Sequence, residues 1–320
     1  MKQKKTNAMK TITPIITILL LNALSVALTA QGWEREYDDY YRFENVLSLP
    51  NGRIAANDAF NFVFLDAQGN PLNDFETSLS AIDVNQGYGI AAGNLIQLND
   101  SSITGMVSKG PHTLIYNVDG NSGELLWDTL LTLPAQTESY YRADKILSLG
   151  DTCYYLMGHW VSPQGKRPAL FKVSREGELL WYKTFHPSLY SNVNYATAFD
   201  MAFTAAGELL MLVGDTNWEA VMLHISLDGD LLQPIYWNAQ SSDDWLYPEK
   251  LLTLPDGSFL VTGRRVFING APLAINRVAA DGQVLWSALL EGEPTYSYAL
   301  KQRGDGTIFV LGNRFGGSGS

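Results

Sequence analysis

Glu176-Gly177-Glu178-Leu179-Leu180-Trp181 decides the reading of this chain, because it recurs along most of its length. Ser122-Gly123-Glu124-Leu125-Leu126-Trp127 and Asp281-Gly282-Gln283-Val284-Leu285-Trp286 are close copies, and Gln68-Gly69-Asn70-Pro71-Leu72 and Asp228-Gly229-Asp230-Leu231-Leu232 are looser ones. Their glycines, at 69, 123, 177, 229 and 282, fall 52 to 54 residues apart. A second unit alternates with the first. It reads Leu49-Pro50-Asn51-Gly52-Arg53-Ile54, Ala206-Gly207-Glu208-Leu209-Leu210, Leu254-Pro255-Asp256-Gly257-Ser258-Phe259 and Gly304-Asp305-Gly306-Thr307-Ile308-Phe309.

Both units have the chemistry of a hairpin: Pro presets φ, Asn or Asp tolerates the turn, and Gly takes the left-handed position without a Cβ clash. Short runs of Val, Ile, Leu, Phe and Tyr flank each turn and suit buried strands. Two hairpins per repeat make a four-stranded sheet, and no capped helical stripe intervenes. A single sheet that is apolar on both faces cannot bury itself, so successive copies must cover one another. The expected fold is therefore all-β, a β-propeller of four-stranded blades, about six of them, with seven as the alternative. The stretch from Leu95 to Gly110 reads as a long loop and keeps the alternative open. Gly32-Trp33-Glu34-Arg35-Glu36-Tyr37 matches an outermost strand, and Tyr298 to Gly312 supplies two strands of a last blade. Joining these ends would close the ring and leave that blade one strand short.

The ends give an address. Lys2, Lys4, Lys5 and Lys10 precede an apolar run from Ile12 to Leu28, which ends in Leu28-Thr29-Ala30. That order is a secretory signal peptide, expected over residues 1–30, with the propeller over 31–315. Residues 316–320, glycine- and serine-rich, read as a flexible tail or a linker to a missing C-terminal segment. The expected location is secreted or at the cell surface, with no membrane span once the leader is cleaved. Cleavage removes four lysines and no acids, moving the formal charge from −11 to −15. Such a surface repels phosphate backbones, so nucleic acid is not an expected partner. A monomer is expected. Cys153, the single cysteine, excludes an internal disulfide and reads as a small apolar strand residue.

The alternation of Asp-Gly hairpins with Gly-x-Leu-Leu-Trp strands resembles secreted bacterial β-propellers of the quinoprotein-like repeat type. The nearest resemblance is to those of the Bacteroidetes, many of them substrates of type IX secretion. It spans residues 31 to 315 through loose repeats and implies fold and export rather than an activity. Members that bind a quinone need a basic and acidic set with a metal site, and that set cannot be placed here.

In such a fold the second-to-third-strand loops and the inter-blade loops share one end. Sorted this way, inter-blade segments carry Tyr40, Tyr41 and Arg42, Tyr140, Tyr141 and Arg142, and Trp245 with Tyr247. The other loops carry His159 with Trp160, Trp218, and Arg264 with Arg265. Aromatic rings beside Arg suit the flat faces of sugars or peptides. The expected ligand-binding residues are Tyr41, Arg42, Tyr141, Arg142, Trp160, Trp218, Trp245 and Arg264. Catalytic signals are thin. The histidines His112, His159, His186 and His224 form no short-spaced metal pair, and no Gly-x-Ser-x-Gly precedes a helix. No cofactor is expected. Asn117-x-Asp119-x-Asn121 is a weak calcium alternative, lacking the glycine and a later ligand of a calcium loop, and reads as a hairpin turn. These residues favour a secreted binding module for a glycan or an extracellular protein. An extracellular polysaccharide hydrolase or lyase and a structural or adhesive spacer are the alternatives.

Overall fold

Every hairpin turn quoted above closes a pair of antiparallel strands. The structure is a computed structural model, and it describes residues 45–57, 61–76, 90–98, 101–133, 135–136, 139–150, 152–185, 196–215, 220–236, 245–266, 272–290 and 295–314. Blade one contains β1 (Asn45–Ser48), β2 (Ile54–Asn57), β3 (Asn61–Leu65) and β4 (Pro71–Glu76). Blade two contains β5 (Ile90–Ala92), β6 (Ile96–Gln97), β7 (Ile103–Lys109), β8 (His112–Val118) and β9 (Leu125–Thr132). Blade three contains β10 (Ala135–Gln136), β11 (Ser139–Leu149), β12 (Cys153–Ser162), β13 (Gly165–Ser174) and β14 (Leu179–Thr184). Blade four holds β15 (Ala196–Phe203), β16 (Leu209–Asp215), β17 (Ala220–Ile225) and β18 (Leu231–Tyr236). Blade five holds β19 (Trp245–Thr253), β20 (Phe259–Val266), β21 (Leu273–Val278) and β22 (Val284–Leu290), and blade six β23 (Thr295–Gln302) with β24 (Ile308–Arg314).

These six meander sheets are the blades of a β-propeller. The stretch from Leu95 to Gly110 is not a long loop. It carries β6 and β7, and β5 and β6 together form the broken first strand of blade two, both pairing with β7. No seventh sheet is needed to house it. The segment Gly32 to Tyr37, expected to close the ring, lies outside the described residues.

The core lies between blades. Tyr155, Met157 and Leu170 of blade three pack with Met211, Val213 and Leu223 of blade four, and Leu212 and Met222 then pack with Phe259 and Val261 of blade five. Each such side chain contributes about 1.5–3 kcal/mol by leaving water. Cys153 sits in the same layer, buried in β12, as its strand context implies. The first strands of blades three to six lie side by side, and the fourth strands bear most of the exposed apolar residues. The Trp-strand turns lock neighbours together. Gly177 has φ +89°, and a Cβ there would stand 2.7 Å from Thr129 of the preceding blade. In blade six, β24 has no outer partner among the described residues, and Phe309 is 54% exposed where its counterparts Tyr155 and Leu260 are at 0%.

Both kinds of tight turn lie at one end of each blade. The second-to-third-strand connections and the inter-blade connections lie at the other, here termed the far end.

Candidate functional site

The first strands of blades three to six each carry one extra residue near the far end. The register skips Asp144, Phe199, Glu249 and Tyr298 in turn, a β-bulge repeated at one place. Gly158 and Gly263 oppose two of these bulges, and a Cβ on either would strike the backbone of Arg142 or Tyr247. A bulge leaves backbone N–H groups outside the ladder, and burying one without a partner costs about 1–3 kcal/mol. The preceding blade supplies the partner. In blade two, Asn94 stands at the break between β5 and β6, and its Oδ1 accepts from the N–H of Ile146 at 2.9 Å. In blade four, Asp200 accepts from Leu251, the same position two blades on, at 2.8 Å. Asp200 also holds Lys145 of blade three.

Blades three and five supply a different partner. Glu249 accepts a hydrogen bond from Arg264 at 2.9 Å, and its other oxygen accepts from the N–H and the hydroxyl of Ser297 at 2.6 and 2.9 Å. Arg264 also lies 4.8 Å over the Tyr247 ring. In blade three the equivalent pair is Asp144 and His159. The N–H of Ala198, the counterpart of Ser297, donates to His159 Nε2 at 3.1 Å, so Nε2 carries the lone pair. The proton is therefore on Nδ1, which donates to Asp144 at 2.5 Å, and the imidazole is neutral. Burial pushes the Asp144 carboxyl upward, but its interactions with His159 first and Arg142 second outweigh it and hold it below the usual carboxylate value.

The described ladder of blade three is the longer one at the far end. Strands β11, β12 and β13 run 11, 10 and 10 residues, against 8, 7 and 6 for β15, β16 and β17, and the tip of the hairpin from Ser162 to Gly165, Pro163 and Gln164, is exposed. Register sorts the residues on it. Tyr141, Trp160 and Arg167 face one another across three strands on one face. The Arg167 guanidinium lies 5.0 Å over the Trp160 ring. Tyr141 packs edge-on against Tyr182 and Phe171, with ring centroids 5.0 and 5.7 Å away, and burial raises its hydroxyl pKa. Tyr182 is 42% exposed. Arg142 and His159 pair on the opposite face, toward blade four. Arg142 Nε stands 2.8 Å from Asp144 as an ion contact without an aligned hydrogen bond. Burial lowers the pKa of Lys166, Arg142 lowers it further, and Asp144 partly offsets both.

Of the residues expected to bind ligand, Tyr141, Arg142 and Trp160 come together at this end, although on two faces of one sheet. They and Arg264 were expected on loops, and all four lie in paired strands. Tyr141, Arg142 and Trp160 are half-buried there without leaving the ladder. Arg264 is engaged by Glu249. Trp245 opens β19, its side chain outside the described set, and Tyr41, Arg42 and Trp218 lie outside the described residues altogether. Lys166, Arg167 and Tyr182 escaped the sequence reading. Folding the Ser162–Gly165 hairpin on paper would have set Arg167 opposite Trp160. Asn117, the first residue of the calcium-like run, turns its amide inward to Ser102 and Thr104, while Asp119 closes the hairpin turn by accepting from Asn121 and Ser122.

No family model matches the chain, and no curated protein matches it. Solved structures do. A protein of unknown function from Bacteroides caccae superposes with a TM-score of 0.54 at 15% identity, over 80% of this chain and 85% of that one. The Dos1 propeller superposes with a TM-score of 0.54 at 12% identity, over 88% of this chain and 69% of that one. At these identities the likeness concerns the fold alone, and it agrees with the sheet order: this is a β-propeller protein.

Proposed function

We propose that the protein is an exported binding module, secreted or held at the cell surface, which holds a glycan at the far end of blade three. The observation that carries this reading is the row Tyr141–Trp160–Arg167, set in register across three strands and flanked by the exposed ring of Tyr182. Rings fixed in a sheet offer flat apolar area at little entropic cost, and cations beside them orient a polar ligand. An extracellular protein is the other ligand class that such a surface suits. The leader at residues 1–30 supports export. The two described bulge carboxylates, Asp144 and Glu249, are each held by a basic partner, and each such pair caps a backbone N–H of the next blade. That is a structural assignment for them, not the free pair a hydrolase would need.

A glycan array probed with the wild type and with Trp160→Ala tests the reading. Loss of this half-buried aromatic anchor is expected to weaken the best-bound glycan by about tenfold or more. Unchanged binding would overturn the placement of the site.

A further inference from the structure

The whole chain carries a formal charge of −11, yet the far end of blade three is basic. Arg142, Lys166 and Arg167 gather there, and Asp144 is the carboxylate in contact with them among the described residues. His159 adds no charge, since its Nε2 accepts the Ala198 N–H. Arg167 lies over Trp160, and half-buried Lys166 feels the like charge of Arg142, neither one in an ion pair among the described residues. Cations left in this way on an acidic protein repel one another, and a bound anion would relieve that repulsion. The placement also sets the size of the ligand. Arg142 and Arg167 belong to opposite faces of one sheet, near the hairpin whose tip, Pro163 and Gln164, is exposed. No single sugar reaches both faces, but a chain laid across the hairpin does.

We propose that this end of blade three binds a carboxylate-bearing polysaccharide, its uronate groups meeting Arg142, Lys166 and Arg167 and its sugar faces lying on Tyr141 and Trp160. The inference rests on the glycan reading above and narrows it to acidic chains. A guanidinium fork matches a carboxylate in two parallel hydrogen bonds, which favours uronates.

Oligogalacturonate and its fully methyl-esterified form share one backbone and differ in charge, so titrating both by calorimetry tests the charge alone. The acid form is expected to bind about tenfold or more tightly than the ester, and to lose that advantage as salt rises. Lys166→Gln and Arg167→Gln should weaken the acid form and leave the ester nearly unchanged, whereas Trp160→Ala should weaken both, all with unchanged thermal melts. Equal binding of acid and ester, lost in Trp160→Ala, would overturn the acidic class while leaving a glycan site. Poly-glutamate bound as tightly as oligogalacturonate would overturn the polysaccharide and point to an acidic polypeptide. Binding of neither form, with no array signal sensitive to Trp160, would overturn the site itself.

Discussion

Blades three and five solve one backbone problem with different side chains. Each has a bulge in its first strand, a carboxylate on the bulge and a basic residue opposite it in the second strand. In blade five the pair is Glu249 with Arg264, and the arginine also covers Tyr247, so cation, anion and ring satisfy one another. In blade three the pair is Asp144 with His159, and Asp144 also meets Arg142, while Arg167 lies over Trp160 instead of a carboxylate. The same scaffold thus joins cation, anion and ring in one cluster in blade five and divides them between two faces of the sheet in blade three.

Removing the acid should separate the two most sharply. Glu249→Ala takes the carboxylate from Arg264 and leaves the Ser297 N–H without its acceptor, an expected loss of about 3–5 kcal/mol by chemical denaturation. Asp144→Ala takes the carboxylate from Arg142 but is expected to cost less, about 2–3 kcal/mol, because the Ala198 N–H keeps His159 as its acceptor. An equal loss in the two variants would break the comparison. Acid supplies the next contrast. The Asp144 carboxyl is held below the ordinary aspartate value of about 3.9, so its contribution is present above that pH and is lost as pH falls through the lowered folded value. Asp144→Asn should therefore flatten the acid limb of the stability profile below about pH 4, as read by urea melts at stepped pH. The smallest effect is expected at β24, which has no outer partner among the described residues. Phe309→Lys should change stability by no more than about 0.5 kcal/mol and lower light scattering at high concentration, since charge on an edge strand discourages pairing with another chain.

Much of the fold was legible because hairpin chemistry is local. Pro255-Asp256-Gly257 and Glu176-Gly177-Glu178 announce their turns within a few residues, and the recurrence of such turns implies stacked sheets. The interruption in blade two was not legible: Asn99-Asp100-Ser101-Ser102 carries turn chemistry after β6, but that β5 and β6 both pair with β7 depends on register, which the residues do not state. The site was legible in part. Tyr141, Arg142 and Trp160 were found by their residue types, but their division between two faces depends on strand register, which the residues do not state. The bulge partners were invisible for a related reason. Asn94, His159, Asp200 and Glu249 each act on the next blade, and no local pattern links a side chain to an N–H about fifty residues away.

Those partners alternate, and the alternation has a consequence for the ring as a whole. Blade five has Pro248 where blades four and six have Ala198 and Ser297, and proline offers no N–H. Excising blade four alone would set His159 against Pro248, an acceptor facing nothing. Excising blades four and five together would set it against Ser297, a ready donor. Removing that couplet is therefore expected to be better tolerated than removing the singlet, as thermal melts of the two shortened chains would show.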